Sequence, residues 1–294
     1  MHEHYGKPRS IRQLEIALVI TVSFLVIEFI GAILTNSLAL LTDSLHMLND
    51  TFALVFALIA AWVAQRPISM KRTYGYYRAE VLAAFLNGIF LWGVVAFIFY
   101  EAFQRIMQPA QVQSLNMLII AVLGLAANTL SALTLSKSKD ESLNVKGAFL
   151  HVLADALGSV GAILAGLIMF FTGWYQADPL LSMAIAALIF HNSTKLIRES
   201  LNVLLEGVPP GIDLESLQRR IVEVKGVDDV HDLHAWCISP NNGCIVSAHV
   251  VVEKGVDKRQ LTTNLIKILE EEFGIAHPTI QLEDEDYPKA IGEH

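Results

Sequence analysis

Long apolar runs alternate with short polar connections six times along the chain, and the pattern changes character near residue 207. The runs cover roughly residues 14–35, 38–64, 81–103, 115–135, 147–172 and 177–199. Each holds about 20 residues or more, the length a helix needs to cross a hydrocarbon core about 30 Å thick. Six transmembrane helices are therefore predicted, and the chain reads as a polytopic α-helical membrane protein. After Glu206-Gly207-Val208-Pro209-Pro210-Gly211 the apolar runs shorten, and the Pro/Gly cluster marks a domain boundary. Residues 213–224 read as a helix, with Asp213 as N-cap and Leu214, Leu217, Ile221 and Val224 at helical spacing. Val230–Ser239 and Cys244–Glu253 read as paired strands about the turn Pro240-Asn241-Asn242-Gly243. A helix from about Asp257 to Phe273 and a third strand, Thr279–Glu283, complete the order αββαβ, a small α+β domain with helices on one face of a sheet. The expected organisation is an N-terminal arm at 1–13, a membrane domain at 14–206 and a soluble domain at 207–294.

Charge fixes an orientation for this plan. The arm carries Lys7, Arg9 and Arg12, the second connection Arg66, Lys71, Arg72 and Arg78, and the fourth Lys137, Lys139 and Lys146. On the opposite side the connections hold only Arg105. By the positive-inside rule both termini are cytoplasmic. Short loops and compact termini point to a bacterial inner membrane, and residues 1–13 are too polar and too short to be a cleavable signal peptide. Composition agrees: 53% of the 294 residues are hydrophobic and only 17% charged, below the usual quarter of a soluble domain. The formal charge of −8 comes from residues 207–294, which hold 8 Lys+Arg against 16 Asp+Glu. An acidic tail argues against nucleic acid as a partner and suits cations.

The candidate chemistry lies inside the apolar runs. Leu45-His46-Met47-Leu48-Asn49-Asp50 recurs as Leu150-His151-Val152-Leu153-Ala154-Asp155. Residues i and i+4 share a helix face, so His46 pairs with Asp50 and His151 with Asp155. Two such helices facing each other offer two imidazoles and two carboxylates, a donor set Zn²⁺ takes in tetrahedral geometry, with two negative charges to balance it. Ionisable groups at this depth cost about 2.5–3.5 kcal/mol each even on the lenient insertion scale, so they are seldom idle. The competing reading is interhelical hydrogen bonding. Glu28, in the first run, reads as a cavity lining or a packing hydrogen bond rather than a ligand. Asp43 lies near the face of His46 and Asp50, either on an exit path or as a helix-start carboxylate. Asn87 and Asn128 read as interhelical hydrogen bonders, and His191, with no carboxylate four residues on, as structural.

In the tail, His231 and His249 lie on the two predicted paired strands and Glu283 on the last, with His234 and His277 nearby. His231 and His249 are expected to share a face and, with Glu283, to form a second zinc site; solvated surface histidines are the other reading. Strict alternation turns His234, three residues after His231, to the opposite face. Cys237 and Cys244, the only cysteines, imply neither a disulfide framework nor a CxxC metal knuckle.

Together these residues resemble the cation diffusion facilitators, over essentially the whole chain. The match rests on the HxxxD pairs, on Asn36-Ser37-Leu38-Ala39-Leu40-Leu41, on Tyr74-Gly75 with Arg78-Ala79-Glu80, and on Asn202-Val203-Leu204-Leu205-Glu206-Gly207. It continues in His231-Asp232-Leu233-His234-Ala235-Trp236 and Ser247-Ala248-His249-Val250. The resemblance implies a homodimeric exporter exchanging Zn²⁺, or a similar divalent ion such as Cd²⁺, for protons, with a ferredoxin-like cytoplasmic domain. It implies His231, His249 and Glu283 in the cytoplasmic site, with His2 or His4 of a neighbouring subunit's arm as a further ligand. Two departures stand out. Tyr77 occupies a position where many relatives have histidine, so no secondary site is expected in that loop. Residues 136–142 lack the histidine-rich insertion some relatives carry between the fourth and fifth spans.

Metal binding requires neutral imidazole and ionised carboxylate, so binding releases protons and protonation expels metal. A histidine's ordinary value near about 6.5 suits that exchange at physiological pH. An intramembrane metallohydrolase is disfavoured, because the chain has no HExxH and four ligands fill a tetrahedral shell. A membrane-anchored metal sensor is the remaining rival, and an anchor has no need of ligands in spans two and five.

Overall fold

The computed structural model describes residues 9–136, 143–239 and 242–284, so the candidate ligands His2 and His4 lie outside the described residues. Six long helices come first: α1 (Arg9–Thr35), α2 (Leu38–Ala64), α3 (Arg78–Met107), α4 (Ser114–Ser136), α5 (Leu143–Thr172) and α6 (Ala177–Leu204). All six are long and apolar enough to cross a membrane. α2 has the predicted bounds; the others extend a few residues further, into polar ends that hydropathy alone excludes. Leu18, Val19, Ile33, Leu34, Leu58 and Trp62 point outward and are exposed. That would be costly in water and suits a hydrocarbon solvent, where the backbone is satisfied within each helix.

The packing divides the chain into two compact units, Met1–Phe52 with Asn87–Thr194, and Ala53–Leu86 with Lys195–His294. In the first, α4 packs against α1 and α5. Small residues permit this approach: Gly31 lies against Ile120, and a Cβ added at Gly124 would stand 2.7 Å from the Phe24 ring. Ala32, Leu40, Met117, Ala121, Ala162 and Met169 fill one core cluster, and Leu38, Leu91, Val95, Ile98, Ala102 and Ala186 another.

In the second unit α6 ends where Glu206 turns left-handed (φ 58°). The Gly207 N–H donates to the Asn202 carbonyl at 2.8 Å, and the Asn202 amide donates to the Val208 carbonyl at 2.9 Å. The chain then builds α7 (Leu214–Val222), β1 (Val227–Ser239), β2 (Asn242–Val252), α8 (Lys258–Phe273) and β3 (Ile275–Asp284), the predicted αββαβ order. Asp213 caps α7, accepting from the Glu215 N–H at 3.2 Å, and Asp257 caps α8, accepting from Arg259 and Gln260 at 3.0 and 3.1 Å. The sheet order is β1-β2-β3, with β1 and β2 antiparallel and β2 and β3 parallel. Leu217, Ile221, Leu261, Leu265 and Leu269 of the helices bury Val230, Val246, Ala248 and Val250 of the sheet.

Three details depart from the sequence expectations. β3 begins at Ile275 rather than Thr279, directly after the left-handed Gly274 (φ 66°) that ends α8; Pro278 obscured it, though an edge strand tolerates proline. Cys237 and Cys244 are joined by a disulfide. They are register partners, placed symmetrically about the turn like Ser239 and Asn242, so the hairpin alone brings them together. Finally, β1 carries a bulge between His231 and His234, where Asp232 takes φ 50°. His231 pairs with His249 while His234 pairs with Ser247. The extra residue reverses the alternation, so His234 lies on the same face as His231 rather than the opposite one.

Candidate metal centres

The intramembrane site is assembled from α2 and α5, each contributing one helical i, i+4 pair. His46 Nε2 lies 3.9 Å from Asp50 Oδ2, and His151 Nε2 lies 3.6 Å from Asp155 Oδ2. Asp50 closes the gap between helices, its Oδ2 3.3 Å from His151 Nε2. The two imidazole rings stand 6.3 Å apart, nearly edge to face. Donor atoms on a tetrahedral zinc at about 2.0–2.2 Å are separated by about 3.3–3.6 Å, so these spacings need only small adjustments around one ion. The surroundings point the same way. Asp50 Oδ2, Asp155 Oδ2 and His46 Nδ1 are buried without any hydrogen-bond partner, an arrangement that costs energy unless something else satisfies them. Asp155 is almost wholly enclosed, whereas the His151 side chain is 44% exposed, so the site has one walled side and one open side.

Beside this cluster, Glu28 of α1 and Asp43 of α2 are buried. Asp43 also faces the backbone of α5, 3.5 Å from where a side chain would begin at Gly158. Asn128 is buried and bonds Ser159 at 3.4 Å, as its reading as an interhelical bonder requires, and Asn87 is buried. His191 is exposed on α6.

The second cluster lies on the face of the sheet away from α7 and α8. His231 and His249 are directly opposed on β1 and β2, their rings 5.4 Å apart. Glu283, pointing from β3, reaches both: its Oε1 is 2.7 Å from His249 Nδ1 and its Oε2 3.4 Å from His231 Nε2. One donor atom from each residue falls within 4.8 Å of the others, the arrangement a metal ion requires. Glu283 is buried while His231 remains exposed, leaving a side open for a fourth ligand. His234 lies one register pair along and reaches Asp232 at 3.8 Å. His277 pairs with Ile245, six residues and therefore about 20 Å along β3 from Glu283, and takes no part.

A polytopic membrane protein with paired His/Asp donors at membrane depth, and a soluble sheet bearing a further His/Glu cluster, is a metal-handling membrane protein. Comparison with known proteins sharpens the class. Residues 14–205 match the cation efflux transmembrane domain and residues 209–285 the cation efflux protein cytoplasmic domain. The metal cation efflux system protein CzcD of Cupriavidus metallidurans is 43% identical over 283 residues, 96% of this chain and 89% of that protein. The zinc transporter ZitB of Escherichia coli is 40% identical, over 95% of this chain and 90% of its own length. The cadmium, cobalt and zinc/H(+)-K(+) antiporter of Bacillus subtilis is 38% identical, over 97% and 93%. The chain belongs to the cation efflux family, the cation diffusion facilitators, and is a multi-pass membrane transporter of divalent metal.

Proposed function

We propose that the protein exports Zn²⁺ from the cytoplasm in exchange for protons, by alternating access around His46, Asp50, His151 and Asp155. The observation that carries this reading is the set of partnerless buried atoms, Asp50 Oδ2, Asp155 Oδ2 and His46 Nδ1, gathered where α2 and α5 face each other. Two carboxylates neutralise a divalent ion, and two imidazoles bind it only when neutral. Protons arriving from outside protonate the imidazoles, weaken the site and release the ion outward. Cd²⁺ and Co²⁺ are further candidate substrates, since relatives are named for them. In the same reading the membrane domain spans 14–206 of a bacterial inner membrane, both termini are cytoplasmic, and residues 207–294 join two copies into a homodimer. His231, His249 and Glu283 form a regulatory zinc site there, with His2 or His4 of the partner's arm able to complete it.

The test is zinc uptake into proteoliposomes under an imposed pH gradient, with Asp155→Ala beside the wild type. Flux that follows the gradient and vanishes in the variant is expected. A second reading, a membrane-anchored sensor, draws on the cytoplasmic cluster alone; zinc that binds the wild type without crossing the bilayer would favour it.

A further inference from the structure

We infer that Asp178, at the start of α6, is a positioning residue for the intramembrane metal site, acting through the N-terminus of α2. This rests on the reading of that site as the zinc-binding one.

A helix begins with N–H groups that have no partner inside the helix, and its aligned peptide dipoles place positive charge there. At α2 the local cap is incomplete: the Ser37 hydroxyl accepts from the Leu40 N–H at 3.2 Å, which leaves the N–H groups of Leu38 and Ala39. Asp178 takes them from another helix. Its Oδ2 accepts from Leu38 at 2.7 Å, and its Oδ1 accepts from Ala39 at 3.2 Å and from the Ser37 hydroxyl at 2.6 Å. The carboxylate is completely buried. Its charge is met by the helix end and by Arg105 of α3, with Nη1 at 3.9 Å. Arg105 also holds the α1–α2 turn, donating to the Asn36 carbonyl at 2.6 Å and to the Asn36 side chain at 3.1 Å. The left-handed φ of 56° at Asn36 turns those groups toward it. The lone arginine on the outer side is therefore part of the same clasp.

The consequence for the metal site follows from continuity along α2. From Leu38 to Asp50 no residue is exposed, so the clasped end and the ligand pair belong to one packed stretch of helix. His46 lies eight residues along from Leu38, about 12 Å down the helix, and Asp50 one turn further. An end fixed by three hydrogen bonds to one buried carboxylate sets both the rise and the rotation of α2. Those two variables decide whether His46 and Asp50 face His151 and Asp155. A bond to an ionised acceptor is strong and directional, so loss of this one carboxylate releases half of the ligand set.

The experiment is zinc binding by equilibrium dialysis to the full-length protein in detergent. All variants carry His231→Ala and His249→Ala, so that only the intramembrane site is read. Asp50→Ala in that background is the control. Asp178→Asn keeps the shape but turns an amide that also donates toward N–H donors, and it is expected to weaken zinc binding at least tenfold. Asp178→Glu, which keeps the charge, should recover part of the loss. Ser37→Ala, which removes one of the three bonds to Asp178 together with the bond from the Leu40 N–H, should weaken binding less and serves if the Asp178 variants fail to fold. In transport, KM for zinc should rise more than the maximal rate falls, an outcome a merely structural role does not give. Wild-type zinc affinity and KM in folded Asp178→Asn or Ser37→Ala would overturn the inference. Failure of the site reading would show differently, as background zinc binding unchanged by Asp50→Ala.

Discussion

The two metal clusters use the same side-chain chemistry on opposite kinds of scaffold. In the membrane, four donors come from two helices, each supplying a pair by the simple rule that i and i+4 share a face. On the sheet, three donors come from three strands, and their convergence depends on register and on a parallel strand delivered by a crossover helix. The helical site is sensitive to where its helices lie, the sheet site to how its strands are counted. The helix pairs draw on two carboxylates, Asp50 and Asp155, the sheet cluster on one, Glu283, which reaches both histidines.

The sharpest way to break this contrast is Asp50→Ala. Zinc flux into proteoliposomes should fall to background while zinc binding by the cytoplasmic cluster persists; loss of both together would mean the clusters are not separate. Next in size is Glu283→Gln, which removes the group bridging the two histidines. In an Asp50→Ala background, where only the sheet site is read, zinc should stabilise the protein by about 2.7 kcal/mol at a hundredfold excess over the dissociation constant, and a thermal melt with Glu283→Gln added should show almost none of that gain. A subtler test deletes Asp232 and leaves every ligand in place. Without the extra residue His231 and His234 stand two apart on a regularly alternating strand, so both keep one face, His231 stays opposite His249, and zinc affinity at the sheet should change by less than about threefold; a drop of about tenfold or more would mean that the bulge itself shapes the site.

The smallest effect expected is at Arg220, far from both clusters. Its guanidinium reaches both oxygens of Glu272 at 2.8 Å and holds that carboxyl below the usual range. A lowered folded value contributes stability above the ordinary glutamate range near about 4.3 and loses it as pH falls through the folded value. Both groups are exposed, so Arg220→Ala should lower the thermal midpoint only slightly at neutral pH. The difference between the two proteins should shrink as pH falls through that lowered value.

What could be read from the sequence follows the same division. The six spans and the two His/Asp pairs were legible because helical periodicity is local, needing only four residues of context. The αββαβ order was legible from signals such as the Asp213 cap and the Pro240–Gly243 turn. The face of His234 was not, because nothing in Asp232-Leu233 announces an extra residue on one strand. Cys237 and Cys244 were passed over because their spacing of seven fits no familiar motif, although symmetry about the Pro240–Gly243 turn pairs them. Asp178 was missed for a different reason. An aspartate in a first helical turn is the commonest of helix-start residues, and only the fold reveals that it caps a neighbour's helix as well as standing at the head of its own.

The parallel pairing of β2 and β3 has a consequence in time. β1 and β2 are neighbours in the chain and can meet as a hairpin as soon as both have left the ribosome, bringing His231 opposite His249. Glu283 reaches them only after α8 has been made and folded back, since a parallel strand requires that crossover. A nascent chain therefore displays two histidines long before it owns the carboxylate that bridges them, and the cluster is completed only when β3 docks.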